Sequence, residues 1–199
     1  MFKKEISRAI CGLLVTSWCL LAVVPCLAGD VTGTVSLGTR GIARDAVIYL
    51  EGDKKASPMV KAVIDQRQKT FIPHVSVVTV GTIIQFPNND TVFHNVFAYF
   101  DAKKFDLGMY PRGATKTVSF DKKGVVALLC NVHSEMSAYI MIVDTPYYAV
   151  ADKDGKFTVK NVPPGDYTLR AWHESGAIYT QQLKVAAGDT KLSIAVSRK

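Results

Sequence analysis

The stretch "LLCNVHSEMSAYIMIV", residues 128–143, decides how the rest of the chain is interpreted. Apolar residues run on both sides of a short polar interval, which predicts two β-strands joined by a loop. The interval holds Cys130, His133 and Met136, in the spacing Cys-x-x-His-x-x-Met. We therefore expect the first strand to end at Cys130 and the second to begin at Met136, with His133 at the crest of the loop.

The rest of the chain has the same strand-and-turn character. The segments "VTGTVSL" (31–37) and "DAVIYLEG" (45–52) alternate between apolar and polar residues, and Gly and Asp residues separate such runs. No helical period is sustained over ten or more residues after residue 28. Short strands at regular spacing are typical of β-sandwiches, so the sequence predicts an all-β fold.

The first 28 residues predict a secretory signal peptide. Three basic residues (Lys3, Lys4 and Arg8) precede an apolar run, and the small residues Cys26 and Ala28 follow a proline. This pattern is typical of a cleaved signal, so we expect a periplasmic or otherwise exported protein without stable membrane insertion after cleavage. The alternative is an uncleaved membrane anchor, because the apolar run approaches spanning length.

Removal of that segment leaves Cys130 as the only cysteine, because Cys11, Cys19 and Cys26 lie within it. An exported chain with one cysteine has no internal disulfide, so the thiol is either buried and inert or bound to a metal. The chain has 24 basic and 17 acidic residues, and the formal charge after cleavage is +5. Its basic residues occur in pairs rather than long runs, so we expect no nucleic-acid partner.

The residue types around Cys130 match a mononuclear copper centre that transfers electrons. Such a site combines one thiolate, two imidazoles and a weakly bound thioether. Cys130, His133 and Met136 supply three of these donors. The missing imidazole is predicted to be His94, in "PNNDTVFHNVF" (87–97), with Asn95 hydrogen-bonding across to the Cys130 loop. Zinc is the competing metal, but it commonly prefers several cysteines.

Two of these segments together resemble the cupredoxins, the family of small blue-copper proteins. They are "TVGTIIQFPNNDTVFHNV" (79–96) and "CNVHSEM" (130–136), and the short second segment is similar to the amicyanin-like variant. The resemblance implies a Greek-key β-sandwich over residues 58–144 that holds one copper ion, cycling between Cu(I) and Cu(II). Leu129 departs from relatives that carry an aromatic residue there, so electrons are expected to pass through the exposed edge of His133.

The resemblance also implies a role for each site residue. Cys130 would be the thiolate, His94 the buried imidazole, His133 the exposed imidazole, Met136 the weak axial ligand and Asn95 the residue that orients the site. His74 is interpreted as a structural or surface residue, because the ligand set is complete without it. The filled set leaves no open coordination position for a substrate, so no catalytic residue and no enzyme activity are expected.

A second unit is predicted after residue 144. The segment "YAVADKDGKFTVKNVPPGDYTLRAWH" (148–173) resembles the carboxypeptidase regulatory-like (transthyretin-like) β-sandwich domains, which are non-catalytic. Fifty residues of strand alone leave an unpaired edge and too small a core. We therefore hypothesise that residues 30–52 and 145–197 form one smaller β-sandwich, with the copper domain inserted between them. In the alternative, residues 30–52 belong to the copper domain.

Together these patterns predict a periplasmic blue-copper protein that carries single electrons. Its partner would be another redox protein, such as a periplasmic cytochrome or dehydrogenase. The alternative functions are copper storage or delivery, and a scaffold for a protein complex. The intact ligand set argues against the scaffold, which has no need of it.

Overall fold

The computed structural model describes residues 27–99 and 102–197. The predicted signal peptide lies outside these ranges except for its last two residues. The described residues form seventeen β-strands and one short 3-10 helix, which confirms the all-β prediction. None of the described residues belongs to a helix long and apolar enough to cross a membrane.

Many of the strands are separated by turns that contain Gly, Asp or Asn. In chain order they are β1 (Gly29–Ser36), then the 3-10 helix (Gly38–Arg40), β2 (Val47–Glu51), β3 (Ala62–Val63), β4 (Asp65–Arg67), β5 (Thr70–Ile72), β6 (Val75–Thr79), β7 (Thr82–Pro87), β8 (Phe97–Ala98), β9 (Phe105–Asp106), β10 (Thr115–Phe120), β11 (Gly124–Leu129), β12 (Ser137–Val143), β13 (Tyr148–Val150), β14 (Lys156–Val162), β15 (Gly165–Trp172), β16 (Ile178–Val185) and β17 (Thr190–Ala195).

Two sheets formed by the middle of the chain make up what we call the first sandwich. One sheet has the strand order β10-β7-β3 and the other β6-β12-β11-β8-β9. Their inward-facing residues form one apolar core, which includes Phe86, Phe120 and Leu128, all fully buried. Side chains alternate in a strand, so β7 buries every second residue and exposes the others.

Two further sheets make up the second sandwich, with the strand orders β14-β1-β17 and β13-β2-β15-β16. Strand β1 pairs antiparallel with β14 and parallel with β17, and β2 pairs antiparallel with β13 and β15. Strands that precede and follow the first sandwich therefore enclose a core of their own, which includes Leu50, Leu169 and Ile194.

The two sandwiches share a third apolar cluster, formed by Val47, Val75, Val77, Met141 and Val143. Strand β12 contributes to two clusters because successive side chains point to opposite faces of a sheet. Ile140 and Ile142 belong to the first core, whereas Met141 and Val143 belong to the shared cluster. The second sandwich therefore packs on the outer face of the sheet that contains β12.

Candidate metal centre

The pairing of β11 with β12 fixes the position of the Cys-x-x-His-x-x-Met loop. Their register ends at the pair Leu129 and Ser137. Paired residues of an antiparallel ladder lie about 5 Å apart between their Cα atoms. Cys130 directly follows the first strand and Met136 directly precedes the second, so the ladder brings the two ends of the loop together.

The loop itself turns back at its far side. The amide of Met136 donates a hydrogen bond to the carbonyl oxygen of His133 at 3.0 Å. The Cys130 and Met136 side chains are both buried, and both belong to the core of the first sandwich. A thiol and a thioether therefore face an apolar interior, whereas His133 is only partly buried.

His94 reaches this loop from a neighbouring segment and is fully buried. Its backbone exchanges two hydrogen bonds with Tyr110, at 3.3 and 2.9 Å. The buried amide of Asn88 donates to the carbonyl oxygens of Val92 and Tyr110, which ties the turn before His94 to the same segment. The imidazole is therefore carried by backbone that is fixed on both sides.

The side chains of His94, Cys130 and His133 converge on one point. The Nδ1 atoms of the two histidines each lie 3.9 Å from the Cys130 Sγ atom, and the three ligand atoms lie within 4.8 Å of one another. Donors that bind one ion at about 2.0 Å (nitrogen) and 2.3 Å (sulfur) are separated by such distances. The structure thus brings together three of the predicted ligands in a geometry that fits a metal ion.

The chemistry of the donor set is selective. A thiolate favours a soft or borderline ion, and imidazole suits copper, zinc, iron and nickel. One thiolate with two imidazoles, and a buried thioether on the same loop, is the set that a blue-copper centre uses. These residues fit a copper ion better than a structural zinc ion, which commonly has several thiolates.

A carboxylate that the sequence analysis did not identify holds the other nitrogen of His94. The Asp90 Oδ2 atom lies 2.9 Å from His94 Nε2, and both side chains are buried. A carboxylate accepts hydrogen bonds, so Nε2 carries the proton and Nδ1 presents its lone pair to the cysteine. The signal for this contact was an acidic residue four positions before the histidine, at the end of the turn "PNND".

The Asp90 carboxylate is ionised over the whole physiological range. A hydrogen bond from the Lys69 amide is the main reason that its pKa falls from 3.8 to about 2, and His94 and the Thr91 amide lower it further. The two amide nitrogens lie 2.6 and 2.7 Å from the carboxylate oxygens. The site therefore contains a fixed negative charge one imidazole away from the proposed metal position.

Asn95 has a different partner from the one expected. Its Nδ2 atom donates to Asp106 of β9 at 2.9 Å, rather than to the Cys130 loop. The physical reason is the hairpin of β8 and β9, which starts two residues after Asn95 and places Asp106 opposite Phe97. The Oδ1 atom of Asn95 is buried and has no hydrogen-bond partner among residues 27–99 and 102–197.

His133 differs from His94 in its surroundings. Burial is the main cause that lowers its pKa below 6.5, and the charges of His94 and Lys69 act in the same direction. The imidazole is therefore neutral near pH 7, as a metal ligand must be. Three exposed apolar residues lie beside the site residues along the chain: Phe93, Met109 and Val132.

Comparisons with known proteins give limited and mixed likeness. The family model described as "Polysaccharide lyase family 4, domain II" matches residues 120–193, which is less than half of the chain. This range begins at the end of β10 in the first sandwich and extends through most of the second. No curated protein matches.

Solved structures that resemble parts of the chain include several copper proteins. A purple cupredoxin from Nitrosopumilus maritimus matches with a TM-score of 0.38 and 20% identity, covering 41% of this chain and 99% of its own. An amicyanin variant in its reduced state matches with a TM-score of 0.38 and 17% identity, and the match covers 47% of this chain and 98% of the amicyanin. A copper-containing nitrite reductase (NirK) from Thermus scotoductus SA-01 matches with a TM-score of 0.42 and 19% identity, and the match covers 49% of this chain and 25% of the reductase. These TM-scores are below 0.5, so the inferences below depend on the geometry of this chain.

Proposed function

We propose that this chain is a blue-copper protein of the cupredoxin kind, which binds one copper ion and carries single electrons. The observation that supports this most strongly is the position of the two Nδ1 atoms, each 3.9 Å from the only sulfhydryl of the described residues. Copper bound there would cycle between Cu(I) and Cu(II).

Each residue of the site has a distinct part in this proposal. Cys130 supplies the thiolate, and His94 and His133 supply the imidazoles. Met136 supplies the weak axial donor, which tunes the reduction potential of the copper ion. Asp90 keeps the proton of His94 on Nε2, so that Nδ1 is available without any rearrangement. A set of four protein donors leaves no position for a substrate, which supports electron transfer rather than catalysis.

The exposed edge of the site supports a docking role for the segment around His133. Phe93 and Val132 are each next to a proposed ligand in sequence, and about half of each side chain is exposed. Met109 precedes Tyr110, which is bonded to the backbone of His94. Exposed apolar groups of this kind are typical of contact surfaces. We infer that a redox protein, such as a periplasmic cytochrome or dehydrogenase, would dock there.

Two further parts of the proposal concern the whole chain. We infer that residues 30–52 and 145–197 form one domain into which the copper domain, residues 58–144, is inserted, and the pairing of β1 with β14 and β17 supports this. We also infer export to the periplasm, supported by the signal-like residues 1–28 and by the single cysteine after them.

The deciding experiment is a visible spectrum of the purified protein with Cu(II). We expect an intense sulfur-to-copper band that disappears on reduction and is absent in Cys130→Ser. Met136→Leu is expected to keep the band but raise the reduction potential, because loss of the weak fourth donor favours Cu(I), which prefers a lower coordination number than Cu(II). A colourless wild-type protein, or one that binds zinc but not Cu(II), would contradict the proposal.

A further inference from the structure

A histidine that the copper site does not use connects that site to the second sandwich. His74 lies directly before β6 and beside the start of β12. Its Nδ1 atom is 3.2 Å from the carbonyl oxygen of Ser137, and its own carbonyl oxygen accepts a hydrogen bond from the Tyr139 amide at 2.8 Å. Ser137 directly follows Met136. His74 therefore holds the first residues of the strand that begins at the proposed axial ligand.

The other nitrogen of the same ring contacts the second sandwich. The Nε2 atom of His74 lies 2.6 Å from the Glu174 Oε2 atom. Glu174 belongs to the connection between β15 and β16, which are both strands of the second sandwich. A continuous chain of polar contacts thus runs from Glu174 through His74 to Ser137.

Both nitrogens of the His74 ring face oxygen acceptors. The Ser137 carbonyl oxygen only accepts, and the Glu174 carboxylate only accepts when ionised. Each contact is therefore a hydrogen bond when the ring nitrogen that makes it carries a hydrogen. Without Glu174 a neutral ring could carry its hydrogen on Nε2 alone, and the bond to Ser137 would be lost.

Apolar packing holds the same part of β12 from the same side. The Tyr139 ring lies between two rings, with its centroid 5.7 Å from that of His74 and 5.5 Å from that of Trp172. Trp172 is the last residue of β15 and packs against the cluster shared by the two sandwiches. The second sandwich therefore contacts the start of β12 through the polar contact of Glu174 with His74 and through the ring pair of Trp172 and Tyr139.

We propose that Glu174 and His74 are positioning residues that fix the Met136 end of the copper site, so that the second sandwich acts as a support for the axial ligand. This inference rests on the proposed copper function. An axial thioether forms the weakest bond of such a centre, so the protein rather than the metal determines where its sulfur lies. A change in the position of β12 would then change the reduction potential of the copper ion without removing any of its ligands.

The test compares three variants of the full chain loaded with copper. Glu174→Ala removes the contact from the second sandwich, and His74→Phe keeps a ring against Tyr139 but removes both polar contacts. Lys123→Met is the control, because Lys123 connects the two sandwiches at the other end of β12. Its Nζ atom lies 3.1 Å from the Asp144 Oδ2 atom and 3.9 Å from the Glu51 Oε1 atom.

We expect Glu174→Ala and His74→Phe to loosen Met136 and so favour Cu(I), which prefers a lower coordination number than Cu(II). A change of about threefold in the ratio of the Cu(II) and Cu(I) affinities corresponds to a potential higher by about 28 mV, at 59 mV per tenfold for one electron. Lys123→Met is expected to keep the wild-type potential. Wild-type potentials in both variants, or an equal increase in the control, would overturn the proposal.

A second measurement does not depend on copper. In the metal-free protein, the ¹³C-labelled methyl group of Met136 is expected to broaden or to give a second signal in Glu174→Ala and His74→Phe, and to stay unchanged in Lys123→Met. An unchanged methyl signal in the first two variants would refute the positioning role. If wild-type protein binds no copper, the proposed function fails, and this measurement alone decides whether the contacts position Met136.

Discussion

The two sandwiches have similar apolar cores but differ in the polar groups that they bury. Among the described residues, seven buried polar residues lie in the first sandwich and its loops, whereas the segments of the second sandwich contain two, Thr145 and His173. The seven are Gln66, Thr79, Thr82, Asn88, Asp90, His94 and Asn95.

Burying polar groups opposes folding unless they are hydrogen-bonded, so such a concentration calls for a reason. Four of the seven fall between residues 88 and 95, in the segment that carries His94. The first sandwich thus buries most of its polar residues around the candidate metal centre, whereas the described interior of the second is mainly apolar. The comparison predicts that equal damage to the two cores will have unequal effects on the copper site.

The largest expected effect is a decrease in the free energy of unfolding, which a matched pair of substitutions produces, one in each core. Leu128 and Leu169 are both fully buried, one in each sandwich. Leu→Ala at either position is expected to lower the free energy of unfolding by about 2–5 kcal/mol, measured by urea denaturation. Only Leu128→Ala is expected to weaken copper binding as well, because Leu128 is two residues before Cys130.

This pair also provides the outcome that would break the comparison. If Leu169→Ala stays folded but loses the visible copper band, then the second core is part of the site rather than a separate source of stability. Circular dichroism checks that both variants are folded before their copper affinities are compared.

A smaller effect is expected from the charge beside His94. Asp90→Asn keeps an oxygen that accepts the His94 Nε2 hydrogen but removes the negative charge. Loss of such a partner commonly weakens metal binding about 10–100-fold, or about 1.4–2.7 kcal/mol. A competition titration with a Cu(II) chelator measures the difference.

Asp106→Asn is the matched control for that charge. Asp106 accepts hydrogen bonds from Asn95 and the Gly108 amide, and its pKa is also lowered, mainly by the Gly108 amide. None of its described hydrogen bonds involves a ligand, so this variant is expected to bind copper about as tightly as wild type. Equal losses in both variants would mean that the overall charge matters and the contact with His94 does not.

The smallest expected effect concerns the boundary between the two sandwiches. Partial burial on its own raises the pKa of Asp144, but hydrogen bonds from Lys123 and Lys55 outweigh it and hold the pKa below 3.8. A carboxyl group with a lowered pKa in the folded state stabilises the protein above its unfolded pKa, and this contribution is lost as the pH falls through the folded value. The stabilisation is therefore complete near pH 7, begins to decrease near pH 4 and is lost as the pH falls through the lowered pKa of Asp144.

Asp144→Asn tests this sign directly. The variant is expected to be less stable than wild type by at most about 1 kcal/mol at pH 7, with the difference shrinking as the pH falls below about 4. Denaturation midpoints at several pH values measure it. A difference that is constant down to pH 2 would mean that the Asp144 carboxylate does not contribute as an ion.

Much of this arrangement could be predicted because the informative residues are close in sequence. Cys130, His133 and Met136 share one loop, and the apolar runs on both sides predicted the strands that hold it. His94 was found because a copper centre of this type needs a second imidazole. The all-β fold followed from turns at Gly and Asp residues, such as Gly81 between β6 and β7.

The contacts that were not predicted join residues through the fold. His74 and Glu174 are 100 positions apart, and no pattern within a single strand relates them. The partner of Asn95 depended on a two-residue strand, β9, too short to give a periodic signal. Asp90 is only four positions before His94 in the sequence. Aspartate is also common in turns, so the sequence alone did not distinguish a turn residue from a partner of His94.

The parallel pairing of β1 with β17 also dictates an order of assembly. Val31 pairs with Thr190 and Ser36 with Ala195, so each partner of β1 in this ladder is about 159 residues away along the chain. During synthesis β1 emerges first among the described strands, yet this edge has to wait for the last one. The connections that carry His94, Cys130 and His133 need no such delay, so the proposed metal ligands can come together while the second sandwich is still open.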